Sequence, residues 1–170
     1  ATAVEFGGDD MYFYLGTDGS GQKAIYAPGG GSKYRLGEEL DLKDMNPQMN
    51  GMDVFSFGIT IAPKAVKRLF QKFSIIPEDI DYYLFHQANK IMNETIIKKL
   101  KLPTDKVPMG LSHYGNTSGA SIPLAMVTEI GESKMRENLN LICCAFGVGL
   151  SWGVVKLSTQ HVCVPKLILI

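Results

Sequence analysis

The chain has 170 residues, 45% of them apolar and 20% charged, which is material for one globular domain. Lys plus Arg and Asp plus Glu number 17 each, so no global basic field points to nucleic acid or a membrane surface, and no apolar run reaches the length of a membrane span. Three cysteines do not make a disulfide framework and fit a reducing, cytoplasmic setting.

The first residue is Ala1, and residues 1–6 read as the middle of a strand, so a piece of a longer chain is expected. Residues 2–6 and 11–16 alternate well enough for two strands around a turn at 7–10. Residues 17–52 hold Gly, Asp, Asn and Pro without a sustained period and read as a long loop lining an entrance. Gly29, Gly30 and Gly31 are too compact for a nucleotide fingerprint and read as a flexible part of that loop. From Asp53 the period changes. Phe55, Ile59, Ala62, Val66, Leu69 and Phe73 recur at steps of four and three, one face of a helix, with Lys64, Lys67, Arg68, Gln71 and Lys72 off the stripe. Pro63 clashes with the carbonyl of Ile59 in an ideal helix, so a kink or a restart is expected there. Met49 and Met52 read as core filler.

Pro77, Glu78 and Asp79 mark a turn, and residues 81–85 read as a short buried strand that delivers His86. Residues 89–100 follow as a helix. Met92, Ile96 and Leu100 face inward; Lys90, Glu94, Lys98 and Lys101 face out, with Glu94 and Lys98 as an i,i+4 pair. Residues 107–111 read as a second short strand leading to the turn around Asn116. Thr117 or Ser118 is expected to cap a helix running to about residue 136, with Pro123 near its first turn. Residues 138–145 and 150–157 are apolar strands joined at Phe146-Gly147-Val148-Gly149, and 161–170 could add an edge strand. This order predicts a mixed sheet with helices on its faces.

Two stretches carry candidate chemistry. His86-Gln87-Ala88-Asn89 sits at a polar strand tip, and Gly115 to Ser121 is a Gly-rich turn into a helix. Alone, each has a structural reading: a core histidine bonded to a backbone carbonyl, and a turn asparagine beside Gly115. His86 and His113 lack a third ligand at a familiar spacing, so no metal site is expected. Cys143 and Cys144 are adjacent on a strand, point to opposite faces and read as buried, although a Cys–His–Asn site built on one of them is conceivable.

The combination says more. His86-Gln87-Ala88-Asn89, Gly115-Asn116-Thr117-Ser118 with Asn116 thirty positions after His86, the run Ala145 to Gly153, and the segment Met49 to Phe55 closely resemble the C-terminal half of β-ketoacyl-acyl-carrier-protein synthase III. The resemblance runs in family order over residues 1–157, leaving 158–170 as a C-terminal extension. It implies an α/β, thiolase-like fold, of which this chain is one half of a layered α-β-α-β-α architecture. It also implies a decarboxylating Claisen condensation. An acyl group from acyl-coenzyme A is loaded on a Cys, malonyl-acyl carrier protein supplies the carbon nucleophile, and a 3-oxoacyl-acyl carrier protein results, as in the initiation of fatty acid biosynthesis or a related pathway.

In that family His86 and Asn116 match the catalytic His and Asn. A neutral imidazole N–H and an amide N–H are donors that can be fixed in advance on the enolate oxygen left by loss of CO2. Gly147, Val148 and Gly149 match the turn whose backbone N–H serves the second oxyanion. Lys98 and Lys99 match basic positions, and with Lys90 they form a candidate docking face for acyl carrier protein. No metal or further cofactor is implied. The expected partners are acyl carrier protein, an N-terminal half carrying the nucleophilic Cys, and a second copy in a homodimer; nucleic acid and membrane are not expected. The departures are specific: Cys143, Cys144 and Cys163 match no catalytic position, Val148 stands where Gly is common, and Ile91 where an Arg docks the carrier protein. A non-elongating acyltransferase of the same superfamily and a non-enzymatic partner subunit are the alternative readings.

Overall fold

The computed structural model describes residues 10–29, 39, 41–135, 137–159 and 167. Strand β1 (Tyr12–Thr17) alternates half-buried and exposed side chains. Asp18 then accepts the N–H of Ser20 at 3.0 Å and starts a 3-10 turn over Gly19–Ala24. Two short strands, β2 (Ile25–Tyr26) and β3 (Gln48–Met49), form an antiparallel ribbon within the stretch expected to be irregular. Met49 and Met52 are exposed rather than in the core.

Helix α1 (Gly51–Phe73) is capped by Asn50, whose Oδ1 accepts the N–H groups of Met52 and Asp53 at 3.1 and 3.2 Å. It ends on Ser74 in a left-handed conformation. Ala62, Val66 and Leu69 of the expected stripe are buried, joined by Ala65. Contrary to one expectation, the helix does not restart at Pro63 but continues through it. Pro63 has no N–H to give the carbonyl of Ile59. The ammonium of Lys99, from the neighbouring helix, donates to that carbonyl instead, at 3.0 Å.

Strand β4 (Tyr82–Phe85) is central to the core: Tyr83, Leu84 and Phe85 are each 1% exposed or less. Such burial contributes roughly 1.5–3 kcal/mol per large side chain. Helix α2 (Lys90–Leu100) is capped by Asn89, which accepts the N–H of Met92 at 2.8 Å, and it closes on a left-handed Lys101. The ion pair on its surface is Lys90–Glu94, at 3.8 Å, not the expected Glu94–Lys98.

The strand expected at 107–111 is absent. Val107 is buried as part of an irregular connection, Pro108 has no N–H for a ladder, and α3 (Leu111–Tyr114) begins where the strand was to end. The following helix starts as a 3-10 turn over Ser118–Ala120, runs as α4 (Ser121–Ala125), passes through a π-helical turn over Met126–Ile130 and continues as α5 (Gly131–Met135). Neither Thr117 nor Ser118 caps it with a side chain. Pro123 falls in the first turn of α4, as its missing N–H requires.

Strands β5 (Asn140–Gly147) and β6 (Ser151–Ser158) form the expected hairpin. The sheet order is β1-β6-β5-β4, with β4 and β5 parallel and the other pairs antiparallel. One face packs α1 and α2 around Val66, Leu69, Ile96, Ile142 and Cys144. The other packs the α4–α5 segment around Leu84, Ala125, Met135, Leu141 and Cys143. The expectations for residues 2–9, 30–31, 161–166 and 168–170 lie outside the described residues.

The Lys99 bond to the Pro63 gap is testable. Lys99→Met should lower unfolding free energy by about 1 kcal/mol, and by less in a Pro63→Ala background, where residue 63 supplies the N–H itself. Urea denaturation of the four variants in a double-mutant cycle reads the coupling; equal losses in both backgrounds would contradict the assignment.

Candidate active site

The site grows from the parallel β4–β5 ladder. Phe85 aligns with Cys144, and one residue on, the backbone N–H of His86 donates to the Cys144 carbonyl at 2.8 Å. His86 is therefore held at the carboxyl end of a buried strand before the chain turns away. The turn is tight: the N–H of Ala88 donates to the His86 carbonyl at 2.9 Å, and Asn89 then caps α2. Gln87 points into the core, where its side-chain amide donates to the Phe85 carbonyl at 2.8 Å.

The His86 ring is half-buried and stands edge-on to Phe146, with ring centres 5.9 Å apart and planes at 82°. Phe146 is supported from below by α1. A Cβ on Gly58 would come within 2.6 Å of the Phe146 ring and 2.7 Å of the Met92 sulfur, so only glycine permits this approach. On its remaining side, His86 Nδ1 lies 2.8 Å from Ser121 Oγ, at the start of α4. Burial lowers the His86 pKa from its ordinary 6.5, so the imidazole is neutral at neutral pH.

Asn116 comes to the same corner. Its Oδ1 accepts the N–H of Ser118 at 2.9 Å, which fixes which end of the amide is oxygen. Its Nδ2 donates to the carbonyl of Ala88, two residues after His86, at 3.4 Å. An amide NH2 carries two protons, so one remains for a ligand. Asn116 is exposed, and Gly115 before it has φ +64, a left-handed value that suits glycine.

The hairpin turn lies beyond Phe146. Its far end is tied down by reciprocal bonds between Leu150 and Asp18: the N–H of Leu150 donates to the Asp18 carbonyl at 2.9 Å, and the N–H of Asp18 to the Leu150 carbonyl at 2.7 Å. Gly149 has φ +140, and nothing lies within 4 Å of a Cβ built on Gly147. The Val148 side chain is 63% exposed. Access to the backbone of this turn from the Gly147 side is open.

The two cysteines among the described residues, Cys143 and Cys144, are excluded as nucleophiles by their surroundings. Cys143 and Cys144 face opposite helix layers, both buried. Burial pushes the Cys143 thiol up to about 12 and raises that of Cys144 further, so neither supplies thiolate. Among the described residues no three His, Cys, Asp or Glu side chains group as metal ligands.

The three lysines differ. Lys90 is paired with Glu94, Lys99 donates to the Ile59 carbonyl, and Lys98 is exposed. Ile91 on the same helix is 67% exposed. Sequence reasoning missed Ser121 and Phe146. Both lay inside motifs already singled out, but contact with a ring thirty-five or sixty positions away leaves no local signal.

Residues 70–158, just over half of the chain, match the family described as 3-oxoacyl-[acyl-carrier-protein (ACP)] synthase III C terminal. The chain is 35% identical over 144 residues to the β-ketoacyl-[acyl-carrier-protein] synthase III of Symbiobacterium thermophilum, across 84% of this chain and 44% of that protein. It is 37% identical over 158 residues to the enzyme of the same name from Caldanaerobacter subterraneus subsp. tengcongensis, across 91% and 48%. The crystal structure of a 3-oxoacyl-(acyl-carrier protein) synthase from Burkholderia xenovorans aligns with a TM-score of 0.82 at 33% identity, covering 95% of this chain and 48% of that one. The chain thus spans under half the length of the curated relatives it matches.

The lowered His86 pKa has a stability consequence. The folded state binds this proton less readily than the unfolded state, so His86 makes stability rise with pH through the region at and below 6.5 and fall on acidification. Thermal denaturation between pH 5 and 7.5 should show a shallower acid loss in His86→Gln than in the wild type. Identical pH dependences would contradict the burial assignment.

Proposed function

Because this chain belongs to the 3-oxoacyl-[acyl-carrier-protein] synthase III C-terminal family and has its thiolase-like fold, we propose that the complete protein joins an acyl group to malonyl-acyl carrier protein with loss of CO2. The acyl group arrives from acyl-coenzyme A and is held as a thioester on a Cys. The malonyl carboxylate leaves as CO2, and its bonding pair becomes the enolate of the carrier-protein thioester. The enolate carbon attacks the acyl carbonyl, and the tetrahedral intermediate collapses with departure of the Cys thiolate. The product is a 3-oxoacyl-acyl carrier protein, as in the initiation of fatty acid biosynthesis.

The observation that carries this reading is the pairing of two donors beside one strand end. His86 is neutral and Asn116 cannot ionise, so neither needs to transfer a proton. Asn116 has an N–H left over after its bonds within the protein and is tied to the backbone two residues from His86, and on this reading His86 Nδ1 is engaged by Ser121 while Nε2 carries the donating proton. Preorganised N–H groups of this kind suit a developing enolate oxygen. The turn Gly147-Val148-Gly149, whose backbone is open on the Gly147 side, suits the second oxyanion, on the acylated Cys. Cys143 and Cys144 are buried and protonated and Cys163 matches no catalytic position of the family, so this reading takes the nucleophile from the part of the relatives' length that this chain does not span.

Lys98, with Lys90 and Lys99 on the same helix, supplies positive charge for an acidic carrier protein. No helix among the described residues is long and apolar enough to cross a membrane. The setting this reading implies is a cytoplasmic homodimer working on acyl-coenzyme A and malonyl-acyl carrier protein, with no further cofactor.

Two experiments test the proposal in the complete protein. His86→Ala and Asn116→Ala should each slow CO2 release from malonyl-acyl carrier protein about a hundredfold or more, the usual effect of losing one oxyanion donor, while acyl loading stays near the wild-type rate. Wild-type decarboxylation in both would refute the donor roles of His86 and Asn116. Lys98→Glu should raise the KM for malonyl-acyl carrier protein at low salt and flatten its dependence on ionic strength. An unchanged KM would leave Lys98 as an ordinary solvated side chain.

A further inference from the structure

We infer that Ser121 is a positioning residue: it holds His86 in the tautomer whose proton sits on Nε2. Ser121 is 2% exposed, so bulk solvent does not reach its hydroxyl and the bonds that order it are those within the protein. Its oxygen accepts the backbone N–H of Gln87 at 3.3 Å, a bond with only one possible direction. Its second partner is His86 Nδ1 at 2.8 Å. Among the described residues no carbonyl takes the hydroxyl proton, although the comparable side chain of Thr128 donates to the Leu124 carbonyl one turn back. The arrangement that satisfies every group has Ser121 Oγ–H donating to an unprotonated Nδ1. The neutral ring then carries its single proton on Nε2. In the opposite tautomer, Oγ would accept twice and its own proton would be buried without a partner. That penalty shifts the tautomer ratio by about tenfold or more.

The consequence reaches the other motif. Ser121 lies five residues after Asn116, so one segment supplies the amide donor and also decides which ring nitrogen of His86 donates. Two cross-bonds join the motifs, Asn116 to the Ala88 carbonyl and Ser121 to His86 with Gln87. The ring cannot swing to present the other nitrogen without breaking the Ser121 contact and leaving the Phe146 edge. The value of this arrangement for catalysis rests on reading His86 as an oxyanion donor, while the tautomer itself does not.

The test is nitrogen NMR of the complete protein labelled with 15N-histidine, with His86 assigned by its absence in His86→Gln. The wild type should show a protonated Nε2 and an unprotonated, hydrogen-bonded Nδ1. In Ser121→Ala the two nitrogen shifts should move toward each other as tautomers exchange. The His86 pKa should rise by about half a unit to one unit, because the neutral form loses a hydrogen bond. Ser121→Thr, which keeps the hydroxyl, should restore both values. Decarboxylation by Ser121→Ala should lose kcat with KM little changed. A protonated Nδ1 in the wild type would overturn the inference without any variant, and so would unchanged shifts and pKa in Ser121→Ala. The predicted tautomer together with full decarboxylation by His86→Ala would instead overturn the proposed function and leave the role of Ser121 standing.

Discussion

The parallel pairing of β4 with β5 is the constraint on which the site depends. It is framed at one end by Asp81, whose N–H donates to the Asn140 carbonyl at 2.9 Å, and at the other by the His86 bond to Cys144. A slip of one residue would turn every side chain of β4 to the opposite face. It would turn His86 toward the wrong layer and exchange Leu84 with Tyr83 and Phe85 between two differently shaped cores. Because those residues are buried to either side of the sheet, the register is fixed by the core, and the core thereby fixes the His86 ring. Cys143 and Cys144 are part of the same device. Each fills one layer as a small apolar side chain, and their pairing with Leu84 and Phe85 keeps the strands close.

The helices around the sheet complete the geometry in different ways. On one face, Gly58 of α1 lets Phe146 come close, and Phe146 forms a wall against the imidazole. On the other face, α4 starts where the Asn116 turn ends and places Ser121 against Nδ1. The long helix α1 keeps its course through Pro63 because burial of Ala62, Ala65, Val66 and Leu69 outweighs one lost hydrogen bond, and because Lys99 reaches the orphaned carbonyl. A basic residue that family resemblance assigns to carrier-protein docking thus has a structural bond as well.

What could be read from the sequence follows from the range of the forces involved. The stripe of α1, the buried strand before His86, the Asn89 helix and the β5–β6 hairpin are local periodic patterns, and they stand where the period put them. The family and the fold were legible from short motifs whose order and spacing are specific. The opposite burial of Cys143 and Cys144 followed from strand geometry alone. The failures are non-local or depend on competition. Residues 107–111 look like a strand, but Pro108 lacks a donor, and the segment forms a connection. Glu94 had lysines on both sides at equal spacing, and Lys90 takes it. Thr117 and Ser118 looked like caps, but neither side chain accepts an N–H of the helix, and the side chain that bonds this turn is Asn116, whose Oδ1 takes the Ser118 N–H. Ser121 had no visible role because its partner is thirty-five positions away.

The central claim is that His86 and Asn116 act on one oxygen atom. The most direct measurement is a crystal structure of the complete protein with a malonyl thioester analogue that cannot lose CO2. The account predicts the thioester carbonyl oxygen within about 3.1 Å of both His86 Nε2 and Asn116 Nδ2, with Ser121 Oγ still on Nδ1. A thioester oxygen bonded to neither side chain, or to a different pair of donors, would contradict it.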